Sequence, residues 1–594
     1  MKTNCYKPIF VVLAMLFFCG NLSAQSNYKL HSHNDYAQEF PFWKAYIHGA
    51  SSIEADIFLK NDVLFVTHAE EEIKTDFTLE NLYLKPLSEL AKAGKLREIQ
   101  VLIDLKSEAK PSLKKLVQTL KSYPELTNNN KISFVISGNR PKPADYASYP
   151  DFIEFDHQDV SNLAEADLSK IALVSQNFRD YSVWNGLGRI IAPELEKVEA
   201  VIKKAHDAGK PFRFWGAPDT KTTWSRFAAM GVDFINTDKP AEAATYLETL
   251  DARKFELNSP ISVYKPKFDF DKNERPKNII LMIGDGNGLS QISSAAFANR
   301  GELTITQLKN IGLVKTSSFD DLVTDSAAGA TAMATGEKTN NRAIGTDKNG
   351  QDLKNLTEIF AEKGYLNGII TTDFVTGATP SSFFAHVIER DDSEAILEDL
   401  NKSKVDFFLS AGASDYGKID KNFVQKDISE FNDFEKRTAI FLSEGGLADA
   451  SVRGDQFPEH VKKVLKNLEN QDKPYFLMIE AAKIDKNGHT NNASGIVEEM
   501  LDFDKTIAEV LKVADQNKNT LVVITADHET SGFAIMQGDL EKGEIEGGFL
   551  THDHTGTMIP LFSYGPGSEL FNGVYENTEV FHRILKTVEK VVRF

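Results

Sequence analysis

The sequence predicts an α/β protein in two successive parts, a TIM-type βα barrel and then an α/β sandwich around a mostly parallel central sheet. Three observations lead there. The chain has 594 residues, more than one hydrophobic core usually supports. Between Lys29 and Asp238, short β-rich runs alternate with helical segments, the pattern of a parallel sheet built from βα units. After Pro276 the strands become continuous apolar runs closed by carboxylates or imidazoles, as expected of strands buried on both faces.

Residues 1–24 read as an export signal: Lys2 and Lys7 supply a positive start, Ile9 to Phe18 is apolar, and Leu22-Ser23-Ala24 offers a small-residue cleavage site. The expected product begins at Gln25 and is exported, to the periplasm or out of the cell. No other run approaches the roughly 20 apolar residues of a membrane-spanning helix, so no transmembrane segment is expected. Both cysteines, Cys5 and Cys19, lie inside the signal, which leaves none for disulfides or thiolate ligands. Any metal must then be held by His, Asp, Glu or hydroxyl groups. A lipid anchor at Cys19 is the competing reading, disfavoured by bulky Phe18 before it. The formal charge is −19, or −21 once Lys2 and Lys7 are removed. Such a field repels nucleic acid and anionic membranes, so no nucleic-acid binding is expected.

The barrel, residues 25–248, is predicted from nine runs: Lys29–Asp35, Ser52–Leu59, Leu64–Ala69, Gln100–Lys106, Ile132–Gly138, Phe152–His157, Ala172–Phe178, Phe212–Ala217 and Asp233–Asp238. Eight strands close such a barrel, so one run is an extra strand or a loop. The chemistry of this fold lies at the strand C-terminal ends, which here carry His33, Asn34, Asp35, Glu54, Asp56, His68, Asp104 and Lys106. Glu54 and Asp56 are two apart on a strand and point the same way, so they could share a hard cation with Asp104. His33 and His68 are candidates for acid and base.

These motifs resemble the glycerophosphodiester phosphodiesterase and phosphoinositide phospholipase C-like superfamily. The resemblance implies one divalent cation, Ca2+ or Mg2+, on Glu54, Asp56 and Asp104, with His33 and His68 acting on a phosphodiester. That family usually has Arg and Gly after its first His, where this chain has Asn34 and Asp35. A barrel that binds its ligand without turnover is the alternative.

Residues 249–275 carry Pro260 and Pro266, many charges and no periodicity, and are expected to be a linker. The second domain, 276–594, starts with the apolar run Asn278–Ile283 and then Asp285. A carboxylate at the mouth of a buried strand is costly unless paired or metal-bound. In Thr324-Asp325-Ser326-Ala327-Ala328-Gly329-Ala330 a hydroxyl precedes small residues. A helix start there would present N–H groups to a phosphate, although a serine so placed is often only an N-cap. Glu480 closes another apolar run, and Asp485 and His489 are four apart, on one face if helical. Asp527 and His528 close the run from Leu521, and His554 precedes a further apolar segment.

In order and spacing these motifs, together with Thr379, His386 and Arg390, resemble the alkaline phosphatase family across Pro276 to Phe594. The resemblance implies an alkaline-phosphatase-like sandwich, phosphate monoesters as substrates, a metal site of two Zn2+ and one Mg2+ and, as in many relatives, a homodimer. One zinc is implied on Asp485, His489 and His554, the other on Asp285, Asp527 and His528, and magnesium on Asp285, Thr379 and Glu480. Ser326 is implied as nucleophile, Arg390 as the phosphate clamp, and Lys486 as a phosphate contact through water. The family has Asp or His two residues before the threonine, whereas this chain has Gly377, which is expected to loosen the magnesium site. If the barrel also cleaves diesters, its product is a substrate for the second domain.

Overall fold

The structure is a computed structural model that describes residues 28–161, 163, 167–418 and 423–589. The expected signal segment, with Cys5 and Cys19, lies outside the described residues. The chain divides into two compact units, one ending at Leu250 and the other starting at Asp251. No helix among the described residues is long and apolar enough to cross a membrane.

The strands of the first unit are β1 (Lys29–Ser32), β2 (Ser52–Lys60), β3 (Val63–Val66), β4 (Ile99–Leu105), β5 (Ile132–Gly138), β6 (Ile153–His157), β7 (Ile171–Asn177), β8 (Phe212–Trp215) and β9 (Phe234–Thr237). Their order is β1-β9-β8-β7-β6-β5-β4-β2, and β1 pairs again with β2, so eight parallel strands close on themselves. The supernumerary run is β3, which folds back antiparallel on β2. Along β2 the period of two separates the functions of the side chains: Ile53, Ala55 and Ile57 join the core outside the barrel, and Ser52, Glu54 and Asp56 alternate with them, also buried. Flanking helices supply the other half of that core, among them Ala109–Lys121 through Leu113, Leu116 and Leu120.

In the second unit a ten-stranded sheet runs in the order Phe423–Gln425, Arg437–Phe441, Phe407–Ala411, Leu366–Phe374, Tyr475–Ala481, Asn278–Gly284, Thr520–Thr525, Ile559–Tyr564, Asn310–Lys315, Gly573–Glu576. Only Ile559–Tyr564 runs against the rest. The Asn278–Gly284 strand is buried throughout. Its Ile280 and Met282 face the core that includes helix Ala493–Asn517, and Ile279, Leu281 and Ile283 face the core that includes helix Ser326–Thr335. That two-sided burial is why the strand is apolar at every position rather than at alternate ones.

Of residues 249–275, expected as a linker, 251–275 run across the second unit. Lys254–Glu256 pairs antiparallel with Glu544–Gly548. Tyr264 Oη donates to Asp515 (2.7 Å), and the Phe268 amide donates to Tyr564 Oη (2.9 Å). The apolar side chains Phe255, Leu257, Ile261, Tyr264, Phe268 and Phe270 explain it: they pack on the same core as helix Ala493–Asn517.

Candidate active site

In the second unit the parallel strands of the sheet deliver their polar ends to one place. Asp285 follows Asn278–Gly284, Glu480 sits at the end of Tyr475–Ala481, and Asp527 and His528 follow Thr520–Thr525. Helix Lys483–His489 puts Asp485 and His489 on one face, and the pairing of Glu529–Thr530 with His554–Thr555 brings in His554. Gly286 (φ +68°) permits the turn: a Cβ there would stand 2.9 Å from the Asp485 backbone. Its amide donates to Asp527 Oδ1.

Two ligand sets result. Asp485, His489 and His554 offer atoms within 4.8 Å of one another, as do Asp285, Asp527 and His528. The hydrogen bonds fix all three imidazoles in one tautomer. Nδ1 of His489 donates to His552 O (2.6 Å) and Nδ1 of His554 to Thr324 O (2.9 Å). Thr530 Oγ1 gives its proton to Asp485 and accepts from His528 Nδ1 (3.2 Å). Every Nε2 is thereby aimed into the site, the arrangement that outer hydrogen bonds impose on metal-binding histidines. Nε2 of His489 and of His554 stand 3.1 Å apart, a repulsive approach of lone pairs unless a cation or proton lies between them.

The carboxylates carry the same message. Asp285 Oδ1 and Asp527 Oδ2 are buried and make no hydrogen bond. Burial, then the neighbouring Asp527, Asp485 and Glu480, pushes Asp285 well above the usual carboxylate range. Burial and Asp485 raise Asp527 to about 7, and burial and Asp373 raise Glu480 to about 8. A hydrogen bond to Asp485, opposed by burial, raises His489 to about 9. So much buried negative charge with unpartnered oxygens fits divalent cations on an N/O ligand set. Asp285 also reaches the third group: Thr379 Oγ1 donates to its Oδ2 (3.4 Å), and Glu480 accepts from Thr371.

Ser326 is the first residue of the helix Ser326–Thr335, and its Oγ lies 3.2 Å from His528 Nε2. It is not the cap. Asp325 takes that role, accepting the Ala328 amide at Oδ1 (3.0 Å) and holding Arg390 Nη1 at Oδ2 (2.9 Å). The serine hydroxyl is therefore free of capping duty, at the start of a helix whose cap also holds a guanidinium. Lys486 Nζ donates to Asp373 (2.6 Å). His386 is spent on the fold, its Nε2 donating to Leu353 O (2.9 Å). Sequence reasoning missed Thr530 and Asp373, and saw Asp325 only as context, although an Asp one residue ahead of a helix start is itself a cap signal.

In the first unit the nominated residues also meet at the strand ends. A cavity of 430 Å³ is lined by His33, Glu54, His68, Asp104, Lys106 and Arg213, among others. Glu54, Asp56 and Asp104 offer atoms within 4.8 Å of one another, helped by the register that sets Asp56 beside Asp104. His68 Nδ1 donates to Asp56 (2.8 Å), and His33 Nδ1 pairs with Asp238 (2.7 Å). Two cations already serve this cluster. Lys106 Nζ lies 3.1 Å from Asp56 and 3.3 Å from Asp104, and Arg213 binds Glu54 (2.9 Å). Burial, opposed by Lys106, leaves Asp104 raised to about 6. Asp35 turns away from the site and ties down its own loop, accepting from Ser32, Tyr83 and the Phe42 amide, while Asn34 takes a left-handed conformation (φ 46°) at the cavity edge. Arg213, in an otherwise aromatic strand, was missed; a lone arginine in such a run signals a buried partner.

Comparison with known proteins agrees with this division. The pattern of the family described as Alkaline phosphatase matches residues 276–422 and 454–545. An AIM6-like phosphodiesterase domain matches residues 23–99, and the Glycerophosphoryl diester phosphodiesterase family matches 211–241. The chain is similar to alkaline phosphatase 3 of Bacillus subtilis (strain 168), 28% identical over 420 residues that cover 53% of this chain and 89% of the relative. It is also similar to the alkaline phosphatase of Escherichia coli (strain K12), 27% identical over 402 residues, 52% of this chain and 84% of the relative. Among solved structures, alkaline phosphatase from the Antarctic bacterium TAB5 is 39% identical, with a TM-score of 0.50 and coverage of 53% of this chain and 98% of that one.

Proposed function

The chain belongs, through residues 276 onward, to the alkaline phosphatase family and is a phosphatase, and from that premise we propose that it hydrolyses phosphate monoesters through a phosphoserine on Ser326, with two zinc ions and one magnesium ion. The observation that carries this reading is the placement of Ser326 Oγ, 3.2 Å from His528 Nε2, at a helix start whose cap also holds Arg390. Zinc on the two His/Asp sets would lower the pKa of the attacking hydroxyl and offset charge on the departing oxygen. The protein's own groups do the rest. Arg390 grips two non-bridging phosphoryl oxygens through its planar fork, and the amides of the Ser326 helix face the same charge. Ser326 Oγ loses its proton and bonds to phosphorus as the ester P–O bond breaks, the leaving oxygen takes up a proton and departs as the alcohol, and water then cleaves the phosphoserine, returning serine and free phosphate. Lys486 stands ready to meet the phosphate through water.

Phosphate release from p-nitrophenyl phosphate at alkaline pH tests this. Activity should disappear with chelator, return with zinc, and be nearly absent in Ser326→Ala. Cleavage of a sulfate ester with no action on the monoester would sink the assignment.

For the first unit the supported reading is a site that binds or cleaves phosphodiesters, with His33 and His68 flanking a cavity that presents Lys106 and Arg213. A diester would yield a monoester there, the class of molecule the second unit consumes. Tethering raises the local concentration of that product only if it reaches the second site before diffusing away. The export signal read at residues 1–24 puts this chemistry in the periplasm or outside the cell; homodimerisation is part of the same reading.

A further inference from the structure

The turn that follows strand Leu366–Phe374 holds two residues in one place. The Gly377 amide donates to Phe374 O (2.9 Å), and a Cβ on Gly377 would stand 3.1 Å from Asp373 Oδ2. Gly377 has φ −57° and ψ 152°, a conformation any residue adopts. Nothing in the dihedral angles calls for glycine, so the reason for it is space, which the Asp373 carboxylate shares with the Phe374 carbonyl oxygen, also 3.1 Å from such a Cβ.

Asp373 arrives there from the sheet. Thr371, two residues earlier, pairs in register with Glu480 on the neighbouring strand and donates its hydroxyl to that carboxylate. The Asp373 amide donates to the same Thr371 hydroxyl (2.8 Å). Asp373 Oδ1 accepts from Lys486 Nζ at 2.6 Å. Asp373 is also the neighbouring charge with the largest effect on Glu480. Asp285, Glu480 and the Thr379 hydroxyl offer only oxygen atoms, of the kind that hard divalent cations take, and Asp373 stands beyond them, beside Glu480. Magnesium keeps several of its waters, and a carboxylate one layer out orients them.

We propose that Asp373 is the outer carboxylate of the magnesium site and a positioning residue for Lys486, occupying from four residues upstream the place that a side chain at 377 would fill. On this geometry the site at Gly377 is rebuilt and not loosened. The inference rests on the reading of a third cation held by Asp285, Thr379 and Glu480, and the test separates the two.

The full chain, loaded with zinc, is titrated with magnesium by calorimetry, and zinc content is measured in parallel. The variants are Asp373→Ala, Gly377→Asp and the double substitution. Asp373→Ala is expected to weaken magnesium binding by roughly tenfold or more with zinc content unchanged. The double variant should recover most of that loss, because the new carboxylate enters the vacated space. Gly377→Asp alone should gain nothing, since two carboxylates then compete for one place. Parent-like magnesium affinity in Asp373→Ala, or no recovery in the double variant, overturns the proposal. Loss of zinc together with magnesium in Asp373→Ala overturns it too, by making the residue a support of the fold. If the parent itself binds no magnesium, the third-cation reading falls and this inference falls with it.

Discussion

Arg390 and Asp325 are joined by a 2.9 Å ion pair whose acidic partner is also the N-cap of the helix that starts with Ser326. One carboxylate thus sets both the guanidinium and the helix that begins with Ser326. Asp325→Ala should lose about 1 kcal/mol of stability from the cap and lower kcat/KM by roughly a hundredfold through misplacement of Arg390. Asp325→Asn keeps a cap acceptor but weakens the ion pair, so its thermal midpoint should stay near the parent's while phosphate inhibits it less well. Equal losses of stability in the two variants would show that the ion pair, and not the cap, carries the stability.

Thr530 hands a proton to Asp485 and accepts one from His528. Thr530→Val removes that relay and frees the His528 ring to turn. Zinc affinity should fall by roughly tenfold to a hundredfold, and Thr530→Ser should restore it. Competition with a chromophoric chelator measures this directly; a valine variant that holds zinc as the parent does would exclude the relay.

Zinc binding should release protons. His489 is raised to about 9 in the metal-free protein, chiefly by its hydrogen bond to Asp485, and Asp527 to about 7 by burial. Protons and zinc compete for these atoms, so affinity should climb between pH 7 and 9 and level off above. Calorimetry in buffers of different ionisation enthalpy counts the protons, and a flat profile across that range would contradict the tautomer and charge assignment.

In the first unit, Lys106→Met strips the ammonium from Asp56, which is fully buried. With the hydrogen bonds from His68 and Tyr36 still in place, losing that ammonium should cost about 2 kcal/mol. Millimolar calcium should return part of it, because Glu54, Asp56 and Asp104 then present a vacant cation site. Thermal melting with and without calcium decides the matter: a variant indifferent to calcium would mean that the three carboxylates are not arranged for a cation.

Much of this architecture was legible because burial leaves strong marks on composition. The runs read in the barrel coincide with observed strands to within a few residues, and the apolar runs around Ile280, Leu477 and Val523, read as strands buried on both faces, are buried strands in the structure. Asp285, Glu480 and Asp527 were legible as strand endings, since a carboxylate after five or six apolar residues has few inexpensive explanations. What escaped was set by tertiary geometry. Asp373 matters because a turn folds it onto Gly377, and Thr530 because a two-residue ladder with His554–Thr555 puts it between Asp485 and His528. Residues 251–275 looked like a tether because their apolar side chains follow no period. They obey the surface they cover and not a helix or strand of their own.

That strap decides where the molecule can be divided. A fragment starting at Pro276 would leave the edge of Glu544–Gly548 unpaired and strip Asp515 and Tyr564 of the partners that Tyr264, Lys267 and Phe268 provide. An open strand edge beside a bared apolar surface invites association with other chains. A phosphatase fragment that keeps the strap therefore starts at Asp251, where the second compact unit begins.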